Sequence, residues 1–257
     1  MDRLYRMEMG AHQCYVIERS GNWFELEGDI YADYEAGQSV DVSAARVLPP
    51  VMPSKIVAVG LNYRDHAKEM GKTLPDEPLI FLKPSTAVIG PSDAIVLPNG
   101  AGRVDHEAEL GIVIGKTAHQ VPVDRAQEYV LGLTCVNDVT DRDLQKRDVQ
   151  YTRGKGFDTF APIGPAIAVG LDGASLDVES AVNGQVRQSS NTRELIFSLD
   201  QLIEFVTGVM TLLPGDIIST GTPSGVGPLC AGDRVAVKVE GVGELVNKVV
   251  SDERNER

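Results

Sequence analysis

Cysteine is scarce in this 257-residue chain, and what little there is does not pair. Cys14, Cys135 and Cys230 are odd in number and far apart, with no CxxC spacing of the kind that holds zinc or a redox dithiol. The expected compartment is therefore a reducing cytoplasm. No apolar run approaches the length needed to cross a bilayer, and the N-terminus lacks a basic segment followed by an apolar one, so neither membrane spanning nor secretion is expected. Basic residues are also in deficit: 24 Lys and Arg face 37 Asp and Glu, a formal charge of −13. A field of that sign repels phosphate backbones, which excludes nucleic acid as an expected partner. No GxGxxG or GxxxxGK[ST] follows a strand-like run, which counts against dinucleotide and P-loop chemistry.

What is present is strand. Gln13 to Glu18 and Trp23 to Glu27 have strand length, and Pro49 to Pro53 punctuates the chain like a linker. This predicts a small N-terminal β-rich domain over residues 1–52 and a main domain over 53–257. In the latter, Lys55 to Leu61, Leu79 to Leu82, Ala94 to Leu97, Glu109 to Ile114 and Leu131 to Val136 are apolar runs of strand length. Asn183-Gly184 is a hairpin signal, and Arg234 to Glu240 alternates with Val235, Val237 and Val239 on one face. Helices are fewer. Ser198 and Gln201 form a capping box before a stripe of Leu202, Ile203, Val206, Val209 and Met210, and Asp124 with Gln127 marks another short helix. The fold class expected is α+β and β-rich, with a mixed sheet that is rolled or sandwiched.

Four segments carry candidate chemistry. In Asp105-His-Glu-Ala-Glu-Leu-Gly-Ile-Val-Ile-Gly115, Glu107 and Glu109 are two apart at the head of an apolar strand and would share a face. Such a pair raises its own proton affinity, which suits a cation site as well as a solvated strand edge. His106, on the opposite face, reads as structural. In Leu131-Gly-Leu-Thr-Cys-Val-Asn-Asp-Val-Thr140, Asp138 either completes a three-oxygen site or, with Asn137, caps the next helix. All-oxygen ligation suits magnesium or manganese. Arg142 and Gln145 lie three apart on that helix, beside the site or facing solvent. Gly60-Leu-Asn-Tyr-Arg-Asp-His-Ala-Lys-Glu-Met70 puts His66 and Glu69 one turn apart, as a carboxylate-oriented base or as a surface pair. Finally, Gly221-Thr-Pro-Ser-Gly-Val-Gly-Pro228 is either a structural turn or a nest whose amides and Thr222 hydroxyl bind a carboxylate, and Lys155 sits between Gly154 and Gly156.

Together, Val59-Gly-Leu-Asn-Tyr-Arg-Asp-His66, Phe81-Leu-Lys-Pro-Ser-Thr86, His106-Glu-Ala-Glu-Leu110, Asn137-Asp-Val-Thr-Asp-Arg-Asp143 and Gly215-Asp-Ile-Ile-Ser-Thr-Gly-Thr-Pro-Ser-Gly-Val-Gly227 resemble the fumarylacetoacetate hydrolase family in its short form. The resemblance implies that Glu107, Glu109 and Asp138 hold Mg2+ or Mn2+, and that a small 2-oxo acid meets the ion and reacts through an enolate. It further implies that His66, oriented by Glu69, activates water and that Lys155 assists the oxyanion, with Arg142, Gln145 and Thr222 binding substrate. A homodimer is implied as well. Hydrolysis of an acylpyruvate is the first expectation. Oxaloacetate decarboxylation and isomerisation of a hydroxyheptadienedioate or hydroxymuconate share the same enolate. The rivals from other classes are a non-catalytic metal-dependent binding module, which would not need the dyad, and an oxidoreductase, which the missing nucleotide fingerprint disfavours.

Overall fold

The computed structural model describes residues 1–252. Its spine is a 12-stranded sheet. Across its main path the strands run Tyr34–Ser39, Asn22–Gly28, His12–Arg19, Asp2–Met9, Ala161–Val169, Val130–Asn137, Ala108–Ile114, Ile217–Ser219, Lys55–Val59 and Ile80–Pro84. Most neighbours are antiparallel, but Ile217–Ser219 runs parallel to Lys55–Val59, so the sheet is mixed. A five-stranded sheet containing Asp177–Val182, Gln185–Asn191 and Arg234–Val239 packs against it. The β-rich α+β architecture is the one the strand pattern predicts. The boundary expected at residue 52 falls in the extended segment between Arg46–Val47 and Lys55–Val59. The strands before it continue the main sheet, with Leu4 paired to Ile167.

The strand Ala108–Ile114 is buried at every position, which is why it reads as a continuous apolar run and not as an alternation. Leu110, Ile112 and Ile114 face a cluster with Leu202, Ile203, Val206, Val237 and Val239, while Val113 joins Val136, Ile163, Ile217 and Leu4 on the other face. Burying each such aliphatic side chain contributes about 1.5–3 kcal/mol. Apolar packing on both faces fixes the position of the strand's acidic head.

Local signals held where they were strongest. Ser198 caps the helix Leu199–Val209 and the capping box with Gln201 is complete. The Asn183-Gly184 turn has φ of 53° and 77° and joins Asp177–Val182 to Gln185–Asn191. Val209, however, is 59% exposed, whereas Met210 packs half-buried against the core. Val123–Tyr129 is a 3-10 turn capped by Pro122 without side-chain help, and Gln127 instead donates to Asp200 across to the neighbouring helix. Among the described residues no helix is long and apolar enough to cross a membrane.

Candidate active site

Glu107 lies between two strands, Val104–His106 and Ala108–Ile114, and not inside one continuous strand as the spacing predicts. Its backbone N–H donates to Asn137 Oδ1 at 3.0 Å and its carbonyl accepts from the Asp138 amide at 2.9 Å. This cross-link brings the end of the strand Val130–Asn137 against the head of its neighbour. Glu107, Glu109 and Asp138 are thereby gathered, with one oxygen of each within 4.8 Å of the others and all three residues buried. Neither Asn137 nor Asp138 caps the following helix, Arg142–Arg147. Asp141 does, accepting from the Asp143 and Leu144 amides at 3.0 Å.

Cations crowd the same spot. Lys155, at the end of the short helix Thr152–Lys155, bridges Glu107 Oε2 at 2.7 Å and Asp138 Oδ2 at 2.6 Å. Lys83 donates to Asp138 Oδ1 at 2.5 Å and to the Val139 carbonyl at 3.1 Å. Arg142 donates to Asp105 at 2.8 Å, to Gln145 Oε1 at 2.9 Å and to Glu107. Both lysines are essentially fully buried. Burial opposes the Glu107 carboxylate, yet Arg142 and Lys155 hold it well below the usual range. Burial likewise opposes the Lys155 ammonium, and Asp138 and Glu107 raise its proton affinity regardless. Burial pushes Lys83 down.

Glu109 is the exception. Burial, followed by repulsion from Asp138 and Glu107, pushes its carboxyl up to about 8. Its hydrogen bonds come from Ser219 Oγ at 2.6 Å and the Gly221 amide at 2.9 Å, and both fall on Oε2. A carboxyl that retains its proton because burial and two neighbouring carboxylates disfavour its charge is short of positive charge. Three converging oxygen donors, without nitrogen or sulfur, fit a hard divalent cation such as magnesium or manganese.

Opposite lies the helix Arg64–Glu69. His66 Nδ1 is 2.8 Å from Glu69 Oε2. A carboxylate only accepts, so Nδ1 carries the proton and Nε2 presents a lone pair. Glu69 Oε1 in turn accepts from the Gly225 amide at 3.1 Å. The helix is moored by Asp65, which accepts from Ser190 Oγ at 2.8 Å, and by the preceding Asn62, which donates to the Thr220 carbonyl at 2.7 Å.

His66, Glu69, Glu107, Glu109, Arg142, Gln145, Lys155 and Thr222 all line one cavity of about 570 Å3. Asp138 stands behind it and is reached through Lys155. The glycine-rich loop does not offer an empty nest. Its Gly221 and Gly225 amides hold the protein's own Glu109 and Glu69, and the Thr222 hydroxyl donates to the Ala108 carbonyl at 2.9 Å. His106 is structural, buried with Nδ1 3.2 Å from Gln188 Oε1. Three contributors escaped the sequence reading: Lys83, Asp105, which pairs with both Arg103 and Arg142, and Gln188. A lone lysine inside the run Ile80–Pro84 was the available signal for the first.

Comparison with known proteins identifies the family. Residues 55–250 match the family described as fumarylacetoacetate (FAA) hydrolase C-terminal. The mitochondrial oxaloacetate tautomerase Fahd2a of Rattus norvegicus is 42% identical over 213 residues, covering 79% of this chain and 68% of the rat protein. The structure of a 5-carboxymethyl-2-hydroxymuconate delta-isomerase from Mycobacterium smegmatis is 45% identical, with a TM-score of 0.91 over 97% of this chain and 100% of that one. Maleylpyruvate hydrolase from Sphingobium sp. SYK-6, solved with manganese(II) and pyruvate, is 31% identical, with a TM-score of 0.80 over 98% and 100% of the two chains. Similarity on this scale, together with the buried acidic cluster, shows that the chain belongs to the fumarylacetoacetate hydrolase family.

Proposed function

We propose that this chain is a divalent-metal-dependent enzyme of small 2-oxo acids, and that it hydrolyses the C–C bond of an acylpyruvate. The observation that carries the reading is the placement of the His66–Glu69 dyad on the wall of the cavity that Glu107 and Glu109 also line, with Asp138 gathered beside them just behind it. Held by the three carboxylates, magnesium or manganese would supply Lewis acidity toward a carbonyl and compensate developing negative charge.

The chain's own groups do the rest. His66 Nε2 takes a proton from water, and Glu69, on Nδ1, stabilises the imidazolium that results. The hydroxide adds to the acyl carbonyl of the substrate. Breaking of the bond to C3 leaves its electron pair as the enolate of pyruvate, and His66 returns the proton to C3, so that pyruvate and a carboxylic acid leave. Lys155, buried in the cavity wall, would supply positive charge to this oxyanion where water is excluded. Gln145 keeps its amide N–H groups for substrate because only its Oε1 binds Arg142. The Arg142 guanidinium, already shared between Asp105 and Glu107, fixes the wall and attracts a carboxylate. Thr222 closes the side of the cavity next to Glu109.

A second reading, proton transfer in a 2-oxo dioate without C–C cleavage, is favoured by one feature. The Lys72 and Lys146 side chains line the cavity, and among the described residues neither ammonium group makes an ion pair or hydrogen bond. A second carboxylate would use them, and a monoanionic acylpyruvate would not. The test is a panel of acylpyruvates, oxaloacetate and 2-oxo dioates with Mg2+ or Mn2+, followed by enol absorbance and pyruvate release. Pyruvate release from acylpyruvates supports hydrolysis. Loss of the enol signal without pyruvate supports proton transfer. Inertness of every substrate with both metals overturns the enzymatic reading. Homodimerisation belongs to the same proposal, and sedimentation as a monomer at micromolar concentration would remove it.

A further inference from the structure

Gln188 stands out on its strand. Gln185–Asn191 is the edge strand of the five-stranded sheet, and Gln185, Val186, Arg187 and Ser189 around it are exposed, yet Gln188 is completely buried. The cause is a bulge. Ser180 pairs with Gln188 and the next residue, Ala181, pairs with Val186, so Arg187 is extra and the strand re-aims the following side chain.

That side chain enters the active-site wall. Gln188 Oε1 accepts from the Ala108 amide at 2.9 Å and from Ser180 Oγ at 3.0 Å. Nε2 donates to the Pro223 carbonyl at 2.9 Å and to Thr222 Oγ1 at 2.7 Å. One end meets a backbone donor and the other a backbone acceptor, so the orientation of the amide is unambiguous. Ala108 separates Glu107 from Glu109. Thr222 and Pro223 lie in the loop whose Gly221 amide holds Glu109 and whose Gly225 amide holds Glu69. The loop presses on the same bulge: a Cβ on Gly225, which has φ of +95°, would lie 2.2 Å from the Arg187 carbonyl oxygen. One amide thus ties the carboxylate cluster to the segment that steers the dyad.

We propose that Gln188 is a positioning residue, which fixes the distance between the three-carboxylate cluster and the His66–Glu69 dyad through Ala108 on one side and the 221–225 loop on the other. The consequence for turnover rests on the functional reading above, but the placement does not. In Gln188→Glu the acceptor side is kept and the donor side becomes repulsive toward the Pro223 carbonyl. The variant separates the two halves of the device.

The test compares the full-length wild type with Gln188→Glu, using Gln185→Ala on the same strand as the control. Mn2+ uptake is measured by calorimetry, kcat and KM on whichever panel substrate reacts, and the ring resonances of His66 by 15N NMR, which four histidines keep tractable. Expected are unchanged Mn2+ affinity, a fall in kcat of about 10–100-fold with little change in KM, and displaced His66 signals beside unmoved His12 and His119 signals. Unchanged kcat overturns the proposal, as does a loss of activity that merely follows melting temperature and Mn2+ affinity downward. If no substrate reacts with wild type, the functional reading fails, and the His66 signals alone decide the placement. Should Gln188→Glu not fold, Gly225→Ala displaces the loop from the opposite side, and unmoved His66 signals there would overturn the proposal equally.

Discussion

On the carboxylate side of the cavity, Glu107, Asp138, Lys83 and Lys155 are all buried and interlocked, with Asp138 gripped by both lysines. On the dyad side, the Glu69 side chain is 43% exposed and is held by His66 and a single loop amide. Burial makes the first set costly to disturb, because a charge stripped of its partner there has no water to turn to. Exposure makes the second set adjustable. Under the proposed function, cation retention and folding belong to one wall and proton transfer to the other, two properties that single substitutions should separate.

The largest effect is expected from Asp138→Ala, which leaves Lys83 and Lys155 facing each other without their shared counter-ion. Urea denaturation should show a loss of about 3–5 kcal/mol, and metal uptake should vanish with it. If the variant keeps wild-type stability, the buried network is not what holds this wall. Next, His66→Ala should lower kcat by about 10²–10⁴-fold while Mn2+ uptake and the urea midpoint stay as they were. A parallel loss of metal binding would erase the distinction between the walls.

Acidity sharpens the contrast. Folded Glu109 keeps its proton up to about 8, whereas its ordinary value is 4.5. A folded-state value raised in this way gives stability that is fully present below pH 4.5 and is lost as pH rises through about 8, so metal-free protein should soften over that window. A cation must displace the proton, so below pH 8 its apparent affinity should climb by about tenfold per pH unit and then level off. Titrations at pH 6, 7 and 8.5, chosen about that value, check this, and a flat profile contradicts it. The smallest effect belongs to the rim. Lys146→Ala should raise KM for a 2-oxo dioate by about two- to fivefold and leave a monocarboxylic acylpyruvate untouched. Equal effects on both substrates would deny Lys146 a role in reading a second carboxylate.

The acids of the site were legible as candidates because they stand at or beside the ends of apolar strands, while their convergence came only from the fold. The capping box at Ser198 and the Asn183-Gly184 turn were legible because their signals are local. The central strand Ala161–Val169 escaped because Pro162, Gly164 and Pro165 break the pattern that marks a strand. Lys83 and Gln188 escaped for a different reason. Their partners lie 55 and 80 residues away in sequence, and only the register of the folded sheets brings them together. For the glycine loop the spacing leaves a structural turn and a ligand nest open, and the structure shows the structural use, with its amides on Glu109 and Glu69. Which acceptors a loop amide meets is decided by packing that spacing does not encode.

The role given to the three carboxylates stands on one measurement above the others: calorimetric titration of Mn2+ into wild type and into Glu109→Gln. Glutamine copies the protonated form that Glu109 already adopts near neutral pH, so the variant should fold as the wild type does. The expected result is one ion per chain for wild type and no binding heat for the variant. A silent wild-type titration, or equal binding by both proteins, would contradict a cation site built on Glu107, Glu109 and Asp138.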